Sequence, residues 1–342
     1  MKSTIRRAEI DKEKASLTAF LSTHLPTGAS SARYDWLYCR NPEGKAWVWT
    51  ITDAEGGEIL GVAAAFPRRI CHRGNMQRGF VLGDFCIHPE YRTLGPALAL
   101  QRQSLQDLSE AGVAFLYDFP SDSMVSIYRR LGMGTARKMI RFAKPLKANR
   151  KTKQWISNEF AASGLAAAIN SYLFLRDYRV RRKPRWVIAE ETGPCGEEFE
   201  KAAARWSTRM GLCAARTADY LNWRFLQHPQ RQYHLFTARS SSELCGYLIC
   251  ELGGEDATVA DMLAQDDAVC RDLLRETSRE MRRRDACTLS MPLPALHPQR
   301  KLLESCGFQA REASTIMLLD VGKKFDDSLA DSWYLTHGDR ES

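Results

Sequence analysis

Apolar and polar positions alternate in strand fashion at two places along the chain, and each time the same order of elements follows. WVWTITD and EILGVAAAF (47–53 and 58–66) read as a hairpin turning at Asp53–Gly57. YHLFTARS and ELCGYLICEL (233–240 and 243–252) read as a second, turning at Ser240–Glu243. Each hairpin follows the pattern Trp-x-aromatic-x-x-(Asn/His)-Pro, at Trp36–Pro42 and at Trp223–Pro229. Trp36 to Gly61 spans 25 residues, and Trp223 to Gly246 spans 23. Each half then carries an acid inside an apolar strand, GFVLGDFCI (79–87) and ATVADMLAQ (257–265). A helical run, another strand and a helix ending in Leu131-Gly132-Met133 or Cys306-Gly307-Phe308 complete each half. The alternation predicts an α/β fold of two tandem mixed-sheet domains with helices packed on them.

The segment between the halves has a different texture. MIRFAKPL reads as the closing strand of the first half, followed by a polar basic stretch. Residues 158–178 predict a helix, with Phe160, Leu165, Ile169, Tyr172, Leu173 and Leu175 near a 3.6-residue period, and Pro184 blocks its continuation. The expected organisation is a first domain at 1–145, a basic connector with a helix at 146–195, a second domain at 196–322 and a tail at 323–342. From Ala143 to Trp186 there are eleven Lys or Arg against Glu159 and Asp177, a net +9 in a chain of net +8, so the remainder nets −1. We expect Phe160, Leu165, Ile169 and Leu173 to pack between the halves while the cations stay solvated. The competing expectation is that 158–185 lies as a basic amphipathic segment on an anionic membrane.

Composition removes several function classes. The longest apolar run, Ile59–Phe66, is eight residues, against about 20 for a membrane span. The basic N-terminus is followed by acids rather than an apolar segment, so a cytoplasmic location is expected. The ten cysteines form no C-x-x-C pair, which argues against a metal site and for buried free thiols. The basic segment attracts phosphates, but no RNA-binding or helix-turn-helix signature accompanies it, so no nucleic-acid partner is expected.

The stretch Val81–Leu98, VLGDFCIHPEYRTLGPAL, carries the chemistry. A strand ends at Pro89, and a turn with R-x-x-G-x-A leads into a helix. A helix N-terminus offers unsatisfied N–H groups and about half a positive charge. Gly95 allows close approach to the backbone and Arg92 adds a cation, so the turn suits a phosphate or pyrophosphate. It is neither a P-loop nor a Rossmann fingerprint. Asp84, in an otherwise apolar strand, is costly unless paired or functional, and is a candidate base or water-positioner.

The string I-H-P-E-Y-R-x-x-G-x-A after an acidic strand resembles motif A of the GNAT superfamily of acyl-CoA-dependent N-acyltransferases. AFLYDFP (114–120) resembles its fifth strand, and SIYRRLGM (126–133) its tyrosine-bearing helix end. The resemblance covers about 25–145 clearly and 200–320 as a weaker second copy. It implies that backbone groups of Arg92, Thr93, Leu94, Gly95, Pro96 and Ala97 cradle the CoA pyrophosphate. It implies that Phe85, Cys86 and Ile87 pair with the pantetheine, and that an N–H near Ile87 polarises the thioester carbonyl. Tyr128 matches the tyrosine that protonates the departing thiolate, and Asp84 is the candidate base. Acetyl-CoA or another acyl-CoA is the implied co-substrate, with no metal.

The second copy lacks R-x-x-G-x-A. Asp266 and Asp267 open its helix and would repel phosphate. The arrangement resembles tandem GNAT-like proteins such as mycothiol synthases, N-myristoyltransferases and Fem-type transferases, with the donor in the N-terminal half. The expected activity is transfer of an acyl group, acetyl above others, to an amine of a small acceptor. The tail WYLTHGDRES resembles those of bacterial proteins of surface-polysaccharide synthesis, pointing to an amino-sugar or glycan-precursor acceptor. The alternatives are an aminoacyl-tRNA-dependent Fem-type transferase and a non-catalytic nucleic-acid or membrane-surface binder.

Overall fold

The computed structural model describes residues 3–25, 28–53, 57–72, 74–132, 134–148, 159–178, 185–319 and 333–341. Its centre is one mixed sheet. The first half supplies β1 (Ser3–Arg7), β2 (Trp47–Asp53), β3 (Ile59–His72), β4 (Asn75–Ile87), β5 (Phe115–Asp118) and β6 (Thr135–Pro145). The remaining strands are β7 (Val187–Glu191), β8 (Leu212–Ala214), β9 (Tyr233–Ser240), β10 (Glu243–Gly253), β11 (Asp256–Ala264), β12 (Thr288–Pro294), β13 (Gln309–Leu319) and β14 (Trp333–Tyr334). The helices are α1 (Lys14–His24), α2 (Ser31–Tyr34), α3 (Leu94–Glu110), α4 (Asp122–Arg130), α5 (Glu159–Tyr178), α6 (Glu197–Ser207), α7 (Ala218–Leu221), α8 (Asp267–Arg283) and α9 (Arg300–Ser305).

The sheet order is β1-β2-β3-β4-β5-β13-β6-β12-β11-β10-β9-β7, with β8 joining β3 to β14. Both expected hairpins form at the expected turns. The closing strands differ from expectation. β6 does not lie beside β5; it pairs antiparallel with β12, Met139 opposite Pro294 through Pro145 opposite Thr288, and with β13. β13, from the far end of the sequence, takes the place beside β5, with Met317–Leu319 opposite Asp118–Leu116. Sheet hydrogen bonds therefore cross the sequence boundary at 145 in both directions.

Three apolar clusters follow from the strand alternation. Leu100, Leu105 and Leu108 of α3 and Ile127 and Tyr128 of α4 cover the first hairpin and β5. Val269, Leu273 and Met281 of α8 with Leu302 and Leu303 of α9 cover the second hairpin and β12. The third cluster joins both halves through Trp36, Tyr117, Trp223 and Trp333. Ser30 and Thr217 cap α2 and α7, which run into single π-helical turns at Asp35–Cys39 and Asn222–Leu226. These turns bring Trp36 and Trp223 into a stack 4.9 Å apart, and each indole N–H donates to the other's backbone carbonyl at 2.8 and 2.9 Å. The repeated Trp pattern thus serves packing between the halves.

The helix expected at 158–178 forms as α5, but its packing does not match the expectation. Ala166 and Leu173 are buried, and Asn170 Oδ1 accepts from Ala148 N at 2.7 Å. Leu165, Tyr172, Phe174 and Leu175 are exposed, so Leu165 is not part of an inter-half contact. The side chain of Phe160 and the basic run at 179–184 lie outside the described residues.

The tail is built into the centre. Trp333 and Tyr334 pair parallel with Leu212 and Cys213. A capping box between Thr336 and Asp339 folds the chain back. Asp339 is buried against Arg216 at 2.8 Å, and its carbonyl accepts from Tyr117 Oη at 2.9 Å. The Gly338 carbonyl accepts from Arg224 and Tyr220 at 2.9 and 3.2 Å.

Candidate active site

β4 and β5 pair in parallel only from Gly79–Val81 to Phe115–Tyr117. Beyond Val81 they part, and the edge of β4 from Leu82 to Ile87 faces the gap. A bulge opposite Ala63 accommodates Asp84, which sits at φ 46°, in the left-handed region that aspartate tolerates better than most residues. Phe85, Cys86 and Ile87 follow on this free edge, while Cys86 and Ile87 stay paired with Val62 and Gly61 on the other.

Asp84 is buried and fully engaged. Arg33 grips its two oxygens at 2.7 and 2.9 Å, and Tyr38 Oη donates to it at 2.7 Å. Sequence spacing could not have joined Arg33 and Asp84, 51 positions apart; the start of α2 delivers the arginine.

β4 leads through a short 3₁₀ turn at Pro89–Tyr91 to α3. Thr93 stands at the N-cap position with no side-chain cap. Within the expected cradle the backbone groups are unequal. Arg92 N and Thr93 N donate to Pro89 O and Tyr91 O, and Pro96 has no N–H. The N–H groups of Leu94 and Gly95, in the first turn, have no partner among the described residues. Arg92, Thr93, Leu94 and Gly95 are exposed, and a Cβ on Gly95 would meet nothing within 4 Å. The space a pyrophosphate needs is open. The corresponding end of α8 is closed: Asp266 accepts from Ala268 N and Val269 N at 2.9 and 3.0 Å. Its donors are spent and a carboxylate stands in the anion's place.

Across the gap, Tyr128 of α4 is fully buried and donates to Asp118 Oδ2 at 2.6 Å. Burial pushes the Asp118 carboxyl up to about 7, with the Glu341 charge adding and the Tyr128 hydrogen bond opposing. Burial and then the Asp118 charge push the Tyr128 phenol well above its ordinary value. His88 is drawn into local packing: its Nδ1 accepts from Glu90 N at 3.3 Å and its ring meets that of His24 at 5.0 Å.

Glu341 completes the site and was not visible in the sequence. Its side chain lies on Gly83, where a Cβ would come within 2.6 Å of its Cγ. Its Oε2 is buried with no hydrogen-bond partner among the described residues. Burial raises its carboxyl, Asp84 adds to this, and Arg340 and Arg33 oppose. The signal that could have pointed to it is Gly83, which leaves room beside the bulge. The described residues contain no cluster of three metal-ligating groups, and none of the ten cysteines is in a disulfide.

A sheet opened between two parallel strands, with an uncapped helix at the mouth of the opening and a buried tyrosine on its wall, forms a cleft with open N–H groups at one end. Residues 5–136 match the acetyltransferase (GNAT) domain family. Residues 5–136 are therefore a GNAT-type acetyltransferase domain. No curated protein matches it in sequence. Solved structures share its fold. A probable N-acyltransferase from Enterococcus faecalis is 13% identical with a TM-score of 0.68, covering 94% of this chain and 73% of that one. A GCN5-related N-acetyltransferase from Anabaena variabilis is 14% identical with a TM-score of 0.67 and the same coverages. The N-myristoyltransferase of Saccharomyces cerevisiae with bound myristoyl-CoA is 9% identical with a TM-score of 0.60, covering 94% and 83%. Acyl-CoA is the co-substrate the GNAT fold implies.

Proposed function

We propose that this protein transfers an acyl group, acetyl in the first instance, from acyl-CoA to the amine of a small acceptor, with the donor held in the first half alone. The observation that carries this is the gap between β4 and β5 opening onto the uncapped start of α3, while the start of α8 is sealed by Asp266. Leu94 and Gly95 donate to the pyrophosphate and Arg92 adds its charge. The free edge at Phe85–Ile87 pairs with the pantetheine amides and directs an N–H at the thioester carbonyl.

The reaction needs a base and an acid. Asp84, expected as base, has both oxygens bound by Arg33 and Tyr38, which suits a residue that shapes the bulge. Glu341 has an uncommitted oxygen in the gap, and we assign it the proton of the attacking amine. The C–N bond forms as the C–S bond breaks, and the thiolate takes a proton from Tyr128. With Asp118 ionised, the only phenolic proton points at Asp118. With Asp118 protonated, the carboxyl can donate to Tyr128 Oη and free that proton for sulfur. Activity should therefore rise with pH as Glu341 ionises and fall as Asp118 does.

The acceptor class we favour is an amino sugar or glycan precursor, the reading supported by the tail's sequence. The exposed Leu165, Tyr172, Phe174 and Leu175 of α5 support a second element, contact with a membrane surface bearing such an acceptor. No described helix is long and apolar enough to cross a membrane. Free-thiol release from acetyl-CoA across a panel of amino sugars tests the function; no thiol release above buffer with any amine would refute it. Glu341→Gln should lower kcat and remove the rising limb of the pH profile. An unchanged profile would return the base to Asp84 or water. Sedimentation with anionic vesicles at low salt tests the membrane contact, and no binding there removes it.

A further inference from the structure

Alternation along β5 gives its two faces different work. Leu116 and Asp118 face α3 and α4, whereas Tyr117 and Phe119 face the cluster shared by both halves and the tail. On that second face lies a cavity of about 250 Å³ lined by Phe119, Arg141, Ser290, Glu312, His337 and Arg340, among others. It stands at the C-terminal end of β5, one residue past Asp118, and its wall includes the residue before Glu341.

Most polar groups of this cavity are spent on one another. Arg141 is paired with Glu312 at 2.5 and 3.1 Å. Thr258 and Ser290 share a hydrogen bond at 3.1 Å. Burial pushes His337 down to about 3, with Arg340, Arg224 and Arg231 adding, so its ring is neutral. Arg340 differs. Its guanidinium lies over the Phe119 ring, 4.8 Å from the centroid, and no carboxylate pairs with it among the described residues. The stack fixes the plane of the group and leaves its N–H edge free for a planar anion. The cation also acts on the reaction centre, opposing the raised values of both Asp118 and Glu341.

We infer that the cavity at Phe119 and Arg340 is the acceptor site and that it selects amines carrying a carboxylate, which Arg340 binds while the amine reaches Glu341. This rests on the acyltransfer reading above and names the acceptor that reading leaves open. A neutral amino sugar leaves a cation in a half-enclosed cavity without its partner; an amino sugar acid or an amino acid supplies one.

The test pairs acceptors that differ in that group: muramic acid against glucosamine, and a free amino acid against its amide, each followed by thiol release from acetyl-CoA. For the wild type, kcat/KM is expected to favour the carboxylate member by about 10–100-fold, the range for a hydrogen bond to a charged group. In Arg340→Gln that preference should collapse, and in Phe119→Leu, which keeps the charge but loses the stack, it should shrink. Equal use of both members by the wild type, or a preference retained in Arg340→Gln, would overturn the inference while leaving acyltransfer intact. No thiol release with any member would instead refute the acyltransfer reading. Should Arg340→Gln fail to fold, the wild-type preference ought still to weaken as salt rises, and a salt-independent preference would also overturn the inference.

Discussion

In the proposed mechanism Tyr128 and Asp118 act as one unit through their hydrogen bond, so a change at either should be read in both kcat and pH profile. Tyr128→Phe is expected to lower kcat by about 10²–10⁴ with chemistry rate-limiting. The falling limb should go with it, since that limb reports the proton Asp118 holds near its value of about 7. An unchanged kcat would make Tyr128 a core residue and leave the acid unassigned. Asp84 and Arg33 form a buried pair, with both side chains at most 5% exposed. Removing one partner strands the other's charge, so Arg33→Ala should cost about 3–5 kcal/mol in denaturant unfolding. A loss below about 1 kcal/mol, the range of an exposed pair, would show that Asp84 is not held this way. At this scale the sequence was partly legible. Tyr128 and the 92–97 turn could be named from local pattern, because their partners are backbone or lie within one strand–turn–helix unit. Arg33 and Glu341 could not, because they reach the site from positions 51 residues before Asp84 and at the far end of the chain.

The helices α3 and α8 show how one residue decides whether a helix end is left open. Both run 17 residues in corresponding places after a bulged strand. Thr93 leaves the first end open, and Asp266 closes the second with two hydrogen bonds. Asp266→Ala should cost about 1 kcal/mol of stability, as the loss of an N-cap does. It should leave CoA affinity unchanged, measured by titration; a changed affinity would place a donor site in the second half. This contrast was readable in advance, since R-x-x-G-x-A and its replacement by consecutive acids are local signals. The packing of α5 was not. Its apolar residues suit a buried face as well as an exposed one, and only tertiary structure shows Ala166 and Leu173 inside with Leu165 and Tyr172 outside.

The exchange of β6 and β13 makes the halves interdependent. Each would lose the strand that completes it if separated, and the Trp36–Trp223 stack and the tail span the same junction. Denaturant unfolding should therefore be one transition by both fluorescence and circular dichroism, and a double-mutant cycle of Trp36→Phe and Trp223→Phe should show coupling above about 0.5 kcal/mol. Two separated transitions would mean that the halves fold alone. The exchange escaped the sequence because hydrophobic alternation tells a strand which face to bury, not which neighbour to pair with. Of the two corresponding helices only α3 starts without a side-chain cap, which makes the central claim countable. Calorimetric titration with CoA should give one site per chain, and Gly95→Glu, at a position open enough to accept a side chain, should abolish it in a folded protein. Two sites per chain, or unchanged affinity in that variant, would contradict the assignment of the donor to the start of α3.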